Sequence, residues 1–282
     1  MAAESVIFKS DSVAVGVLRS AGENPVSREP HRTANYVLVF PRSPAIVRRT
    51  DGRTWIADST AVNLWNSNQE YWREPLSPEG IAADWFAVQR DIILDVVRFI
   101  DPYIDDTPES PFRFTHTRVD SALYLRQRQI LNRLMRSDAR QPLGIEEAVL
   151  ETLHRSIAAA YSNWRPGTSY HYEPSLFRRK EIVFRADALL ARRFRESLSL
   201  TEIARETGSS PFHLCRLFKL HRNTTLHAHC NNLRLRAALE YVLDTKTDLT
   251  DVALDLGFSS HSHFTWAFRR RFGTTPLALR QS

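Results

Sequence analysis

Two stretches of the sequence place hydrogen-bond donors at matching positions along one side of a short helix. Ser210 opens the first stretch, whose polar side carries Phe212, His213, Cys215, Arg216 and Lys219. Ser260 opens the second, whose polar side carries His261, Ser262, Thr265, Trp266 and Arg269. Donors in the N-terminal half of an exposed helix suit the reading of bases in the major groove of DNA. For one such helix a solvated face is an equal alternative, but the repetition favours DNA binding.

A helix-turn-helix would hold each of these two reading helices in place. Gly208 and Gly257 stand where a preceding short helix must end, in a conformation that glycine adopts at little cost. Ser210 and Ser260 then suit the N-cap of the reading helix. The spacing i, i+3, i+4 predicts a core-facing stripe in each copy, formed by Leu214, Leu217 and Phe218 and by Phe264, Ala267 and Phe268.

A longer apolar-periodic segment, residues 225–244, separates the two copies. Its length of about 20 residues corresponds to roughly 30 Å of helix. One turn of B-DNA is about 34 Å. A rigid helix of this length can therefore hold two reading helices in successive segments of the major groove, which makes a single chain a reader of two blocks.

The C-terminal stretch resembles the DNA-binding domain of AraC/XylS-type bacterial transcription regulators. The resemblance is carried by residues 200–204, 210–219, 233–239, 252–258, 260–264, 268–273 and 276–280. Three positions depart from the family pattern. Asn223 stands where glycine is usual, His229 where an aromatic residue is common, and Trp266 where several members carry arginine. Asparagine is the next-best residue for a left-handed cap, so the fold assignment stands.

The resemblance implies a sequence-specific transcription regulator with double-stranded promoter DNA and RNA polymerase as partners. Arg216 is the first candidate for a base contact, because arginine pairs with guanine through two hydrogen bonds. Further base contacts are implied by position for Phe212, Cys215, His261, Ser262 and Thr265. Phosphate contacts are expected for Lys219, Arg222, Arg269 and Arg270.

The N-terminal part has many short strand-like runs with turns every eight to ten residues, which predict a small sandwich or barrel. Strands are predicted within 6–18 and over 36–40, 45–49, 53–57, 61–65 and 81–88, with a polar loop at 66–77. This part resembles the cupin-like sensor half of some AraC-type regulators, on residues 36–42, 51–53 and 57–58. The resemblance implies control by a small-molecule effector.

Trp72 and Arg73 form the candidate effector site, because a cation beside an aromatic ring could hold an anionic or planar molecule. The alternative is that the aromatic residues of this part form the core of a small barrel. Metal-binding cupins need several histidines and a carboxylate, whereas residues 1–100 contain one histidine, His31. The sequence therefore predicts no metal, no cofactor and no catalytic constellation.

Helical spacing follows the strand-rich part, at 121–136 and from Pro142 onward, and a linker is predicted at 101–112. The two helices predict a helical hairpin, whose apolar stripe either mediates a homodimer or packs on the barrel. A second linker is predicted at 163–174 and a further helix at 176–196. The predicted fold is α+β, with a cupin-like sensor domain at 1–100, a helical region at 101–174 and an all-α double helix-turn-helix domain at 175–282.

The charge is uneven along the chain. Residues 175–282 contain 18 Lys and Arg against 10 Asp and Glu, whereas residues 1–174 contain 20 against 22. The excess of positive charge thus falls in the half that would bind phosphates. Two cysteines without a disulfide framework, no signal segment and no long apolar run predict a soluble, cytoplasmic protein without a membrane partner.

Two other functions remain open from the sequence. One is an architectural DNA-binding protein without sequence specificity, and the other is a cupin enzyme fused to a DNA-binding module. Competition with random DNA at raised salt separates the first from a specific regulator, because non-specific binding weakens steeply with salt. Bound metal in the purified protein would indicate the second.

Overall fold

A computed structural model describes residues 3–20, 29–101, 103–136, 142–163 and 174–281. The chain divides into two compact units, residues 1–164 and 165–282. The first contains the strands and three helices, and the second is all-helical over the described residues. None of the helices described is both long enough and apolar enough to cross a membrane.

The strands of the first unit, in chain order, are β1 (Ala3–Lys9), β2 (Val13–Ser20), β3 (His31–Arg32), β4 (Tyr36–Pro41), β5 (Ala45–Arg49), β6 (Thr54–Ala57), β7 (Ala61–Trp65), β8 (Glu70–Pro75), β9 (Ile81–Val88) and β10 (His116–Arg118). They form two antiparallel sheets, one of order β1-β2-β9-β4-β7-β10 and one of order β3-β8-β5-β6. The helices of this unit are α1 (Arg90–Arg98), α2 (Ser121–Met135) and α3 (Pro142–Asn163).

The six-stranded sheet is covered on both faces. On one face, Leu38 of β4, Leu64 of β7 and Phe86 of β9 are buried in a core that also contains apolar residues of α1, α2 and α3. Successive residues of a strand point to opposite faces, so Val39 and Trp85 lie on the other face, where they line a cavity between the two sheets. The register places Leu38 opposite both Phe86 and Leu64, which keeps the core-facing residues in line.

The structure corrects the sequence prediction in two places of the first unit. The segment predicted as a polar loop at 66–77 contains β8, which pairs with β3 and β5. Polar residues lie on both faces of this strand, so the alternation of apolar and polar residues that marks a strand is missing. The predicted linker at 101–112 is also packed, because Phe112 is buried and both its N–H and its carbonyl bond to the Asn66 side chain at 2.9 Å.

Helix α1, for which the sequence analysis gave no prediction, packs through Ile93, Leu94 and Val97. Both predicted helices after it are present as α2 and α3. The apolar stripe of α3 is buried within the unit, in the same core as the six-stranded sheet. Of the two alternatives for this stripe, the structure therefore shows packing on the β domain. Residues 164–173 of the second predicted linker lie outside the described residues.

The second unit consists of α4 (Pro174–Arg193), α5 (Leu200–Glu206), α6 (Pro211–Arg222), α7 (Leu226–Asp244), α8 (Leu249–Asp255), α9 (His261–Phe272) and α10 (Pro276–Gln281). The pairs α5–α6 and α8–α9 are two helix-turn-helix motifs, and both reading helices contact α7 between them. The α+β fold class is confirmed, with an N-terminal β domain that carries α1, α2 and α3, followed by an all-α domain.

A buried carboxylate fixes α2 to the six-stranded sheet. Asp84 on β9 is fully buried, and its carboxylate accepts hydrogen bonds from Arg128 Nη1 at 2.8 Å and Gln127 Nε2 at 2.9 Å. Arg42 Nη1 lies 3.7 Å from the same carboxylate. Because Arg128 is itself almost fully buried, each charge depends on the other for compensation.

We expect Asp84→Ala to lower the free energy of unfolding of the first unit by about 3–5 kcal/mol, because it removes one partner of a buried ion pair. Urea unfolding followed by tryptophan fluorescence measures this, since Trp55, Trp65, Trp72 and Trp85 lie in this unit. The control is Asp105→Ala, which removes an exposed partner of Arg98 and should cost about 0–1 kcal/mol. Equal losses for the two variants would contradict the assignment.

Candidate nucleic-acid interface

The two reading helices, α6 and α9, are built alike. Ser210 caps α6 by accepting a hydrogen bond from the His213 N–H at 3.3 Å, and Ser260 caps α9 by accepting from the His263 N–H at 3.1 Å. Each helix has 12 residues and ends on a residue in the left-handed region. Asn223 adopts φ +51° at the end of α6, and Gly273 adopts φ +76° at the end of α9. The predicted caps are confirmed.

The apolar stripe of each reading helix faces the core of its own motif. In α6, Leu214, Leu217 and Phe218 are buried, and in α9, Phe264 and Phe268 are buried while Ala267 is half-buried. The turn before each helix contains a glycine with positive φ, +68° at Gly208 and +79° at Gly257. The buried stripe leaves the opposite side of both helices exposed.

The exposed side of α6 carries the residues that the sequence analysis proposed. Phe212 is 79% exposed, and Cys215, Arg216 and Lys219 are exposed as well. Within the described part of the chain, Arg216 and Lys219 make no hydrogen bond or ion pair. Their charged ends are therefore available to an external partner, and the anionic groups of a nucleic acid match them in charge.

The exposed side of α9 has a different chemistry. His261 and Ser262 are exposed, and Thr265 is half-buried with its hydroxyl 3.5 Å from His261 Nε2. Trp266 is 59% exposed, and the Arg270 guanidinium lies 5.2 Å from the centre of its ring, within the range of a cation–π contact. Arg269 is exposed on the same helix.

Arg222, expected from the sequence to contact phosphate, has a partner inside the domain. Its guanidinium forms an ion pair with the buried carboxylate of Asp187 on α4, and its side chain is 24% exposed. A buried carboxylate needs such a counter-charge, and sequence position alone does not reveal it. Arg222 therefore differs from Lys219, Arg269 and Arg270, whose side chains remain at the exposed surface.

Positive charge gathers beside the start of α6. Arg178, Arg179, Ser209 and His213 line a recess there. Near the other end of the helix, burial lowers the pKa of His221, and the positive charges of Arg222, Lys180 and Arg179 lower it further. Both observations indicate a positive potential along the side of α4 that borders α6.

The sequence analysis missed the contacts of Arg234 on α7, which link the segment after α4 to the turn of the second motif. Its guanidinium donates three hydrogen bonds to backbone carbonyls, to Phe194 at 2.6 Å, Glu196 at 2.7 Å and Gly257 at 2.6 Å. The first two carbonyls follow α4 and the third belongs to the turn between α8 and α9. No local pattern marks this arginine, because all three acceptors are distant in sequence.

Arg193, at the end of α4, has partners that its place in the sequence does not reveal. It forms ion pairs with Glu196, with Glu202 of α5 at 2.9 Å and with Glu206 of α5 at 2.7 Å. These carboxylates raise the pKa of Arg193, through hydrogen bonds first and charge second. The cluster fixes the first helix of the first motif against α4.

The predicted effector pair, Trp72 and Arg73, is not brought together. The two residues are neighbours in β8, so they point to opposite faces of the four-stranded sheet. Arg73 lines the cavity between the sheets, together with Tyr71, whereas Trp72 is not among the residues that line it. No three His, Cys, Asp or Glu side chains are placed to hold a metal ion in the ranges that the structure describes.

Comparison with known proteins places this arrangement in a family. Residues 203–282 match the family described as a helix-turn-helix domain. The chain is 34% identical over 87 residues to the probable transcription factor PqrA of Proteus vulgaris, a match that covers 31% of this chain and 71% of that protein. The chain belongs to the AraC/XylS family of bacterial transcription regulators. The resemblance stated from the sequence is thus confirmed.

Other relatives share the same region of this AraC/XylS-family chain. It is 40% identical over 84 residues to the HTH-type transcriptional regulator GlxA of Rhizobium meliloti (strain 1021), which covers 30% of this chain and only 26% of GlxA. A solved AraC-type DNA-binding-domain protein from Chromobacterium violaceum is 31% identical, covering 38% of this chain and 93% of that one, with a TM-score of 0.34. That score is too low to support a structural argument.

The turn glycines of this AraC/XylS domain give a matched pair of substitutions. Gly208→Ala should cost about 1–2 kcal/mol, the penalty of a left-handed alanine, since nothing lies within 4 Å of its added Cβ. Gly257→Ala should cost about 1–3 kcal/mol more, because its Cβ would lie 2.4 Å from the Arg195 carbonyl oxygen and 2.9 Å from Arg234 Nη2. Thermal unfolding by calorimetry compares them, and an equal loss would show that the Arg234 contact is not fixed.

Proposed function

We propose that this protein is a sequence-specific transcription regulator that binds promoter DNA with α6 and α9 and responds to a small-molecule effector through its first unit. The observation that carries the proposal is the pair of equally capped reading helices, each with a buried apolar stripe and an exposed polar side. A single helix with an exposed polar side would be explained by solvation alone. Two copies held on the same α7 are what a reader of two DNA segments requires.

The spacing of the two motifs supports the same function. Helix α7 has 19 residues, about 28 Å of helix at 1.5 Å per residue. Successive major-groove segments on one side of B-DNA lie about 34 Å apart. A rigid helix of this length between the motifs suits two contacts on one face of the duplex.

The proposed DNA contacts divide into base contacts and phosphate contacts according to the chemistry of each side chain. Arg216 would pair with guanine through two hydrogen bonds, and the other proposed base contacts are Phe212, Cys215, His261, Ser262 and Thr265. Lys219, Arg269 and Arg270 would contact phosphates, which fix the register without reading sequence. Arg222 is left out of this set because it compensates the buried Asp187.

The wider functional assignments follow from this role. We assign residues 175–282 to DNA binding, 1–100 to effector sensing and 101–174 to a helical region. A homodimer would use the surface of that region outside the buried stripe of α3. RNA polymerase is the proposed partner at the promoter, and the cytoplasm, where bacterial DNA lies, is the proposed location. The protein would act by occupying DNA, without catalysis and without a cofactor.

The first test is a binding selection from random duplexes with the wild type and Arg216→Ala. We expect a motif of two blocks about one helical turn apart. Arg216→Ala should relax one position in one block by about 1–3 kcal/mol, the value of a bidentate arginine–guanine pair. The control is Arg133→Ala, which removes an exposed arginine from α2 of the first unit and should leave the motif unchanged.

Each other result of this selection changes the proposal. A motif of one block would limit base reading to one of the two helices. An intact motif with Arg216→Ala would remove Arg216 from the base contacts. Absence of any enriched sequence, together with binding that falls away at raised salt, would favour the architectural alternative over a specific regulator.

A second test examines the phosphate contacts through the salt dependence of DNA binding. Lys219→Ala should weaken binding to all duplexes alike and reduce the slope of log K against log salt by about 1, since one fewer phosphate is neutralised. Lys9→Ala, an exposed lysine of the first unit, is the control with the same change of charge and should leave the slope unchanged. A sequence-dependent loss with Lys219→Ala would instead assign this residue to base reading.

A further inference from the structure

The first unit contains a cavity between its two sheets, with a volume of about 290 Å³. Val37, Val39, Trp65 and Trp85 line it from the six-stranded sheet, and Tyr71 and Arg73 line it from β8 of the four-stranded sheet. An apolar cavity of about 150 Å³ is large enough for benzene. This cavity therefore has room for a ring and a substituent of several atoms.

The wall of the cavity combines apolar and aromatic side chains with polar ones. Trp65 and Tyr71 stack on one another with their ring centres 4.2 Å apart. Trp85 lies over Gly16 of β2, where an added Cβ would be 2.2 Å from the tryptophan ring. Gly16 thus makes room for the indole at this position. Surfaces of this kind suit the body of a planar or aromatic ligand.

Arg73 is the charged group that enters this apolar wall from β8. It makes no hydrogen bond or ion pair with any part of the chain that the structure describes. This contrasts with Arg128 and Arg222, whose guanidinium groups are paired with the buried carboxylates of Asp84 and Asp187. A half-buried guanidinium facing a cavity without a counter-ion is matched by a ligand that supplies the anion.

Other polar groups at the cavity agree with an anionic ligand. Burial lowers the pKa of His31, and the positive charge of Arg73 lowers it further, so the field of Arg73 reaches the His31 side of the cavity. The indole N–H of Trp85 is buried and has no hydrogen-bond partner among the described residues. The acidic residue on the lining, Glu4, is exposed.

We propose that this cavity binds a small aromatic carboxylate, whose carboxylate pairs with Arg73 and whose ring packs against Trp65 and Tyr71. A guanidinium presents two parallel donors that match the two oxygens of a carboxylate. This proposal names the class of effector for the proposed regulator. It rests on the proposed function only where the ligand is called an effector.

The test is a calorimetric titration of the full chain, without DNA, with 3-phenylpropanoate and with its neutral counterpart 3-phenylpropanamide. The two probes have the same size and ring and differ in charge. We expect the acid to bind at least about tenfold more tightly than the amide, as a charge-assisted pair requires. This comparison needs no variant.

Three variants locate the effect. Arg73→Met should make the acid and the amide bind equally, and Arg73→Lys, which keeps the charge without the paired donors, should retain part of the preference. Arg48→Met is the matched control, because Arg48 lies on β5 beside β8, is 59% exposed and pairs with Glu74 outside the cavity. It should bind both probes as the wild type does. Circular dichroism confirms that each variant is folded.

The proposal is overturned by any of three results. These are equal binding of acid and amide to the wild type, a preference for the acid that survives Arg73→Met, and no binding of either probe at about 10 mM. Because DNA is absent, failure here leaves the DNA-binding proposal intact. Conversely, a chain that binds the acid but selects no DNA sequence would contradict the proposed function alone.

Discussion

The second unit depends on one arginine that serves as a strut between its two halves. Arg234 donates to carbonyls at the end of the α4 segment and to the carbonyl of Gly257 in the turn of the second motif. Carbonyls at helix ends and turns lack partners within their own element, so one guanidinium satisfies three of them and joins the segment after α4 and the turn of the second motif to α7. Helices α6 and α9 each contact α7 as well. Helix α7 is therefore the element that both motifs share.

In the first unit, the two faces of the six-stranded sheet differ in whether a nearby arginine has a carboxylate paired to it. On one side, Asp84 meets Arg128 from α2, and the charges compensate one another within the core. On the other side, Arg73 faces a cavity with no carboxylate paired to it among the described residues. The same residue type thus has two roles, decided by whether the fold provides its anion. A fully compensated pair stabilises the unit, whereas an uncompensated cation is better suited to a ligand.

Local signals made the second unit predictable. Ser210, Ser260, Gly208 and Gly257 each act within four residues, so caps, turns and both reading helices followed from the sequence alone. The contacts that were missed act over long distances. Arg234 bonds to residues 23 to 40 positions away, and Arg222 pairs with Asp187 on another helix. Strand β8 was taken for a loop because its inward residues include Arg73, whose place in an apolar cavity breaks the alternation that marks a strand.

The two reading helices have the same caps and buried stripes but different exposed side chains. This difference bears on how the proposed regulator would discriminate DNA. Helix α6 presents Arg216, a free guanidinium suited to guanine, beside the exposed ring of Phe212. Helix α9 presents Trp266, with Arg270 lying over its ring. An indole cannot form the bidentate pair that an arginine forms, but its apolar face can contact a thymine methyl group. In the proposed complex, α6 would therefore supply most of the hydrogen-bonded reading, while α9 would supply apolar contact and position on the backbone.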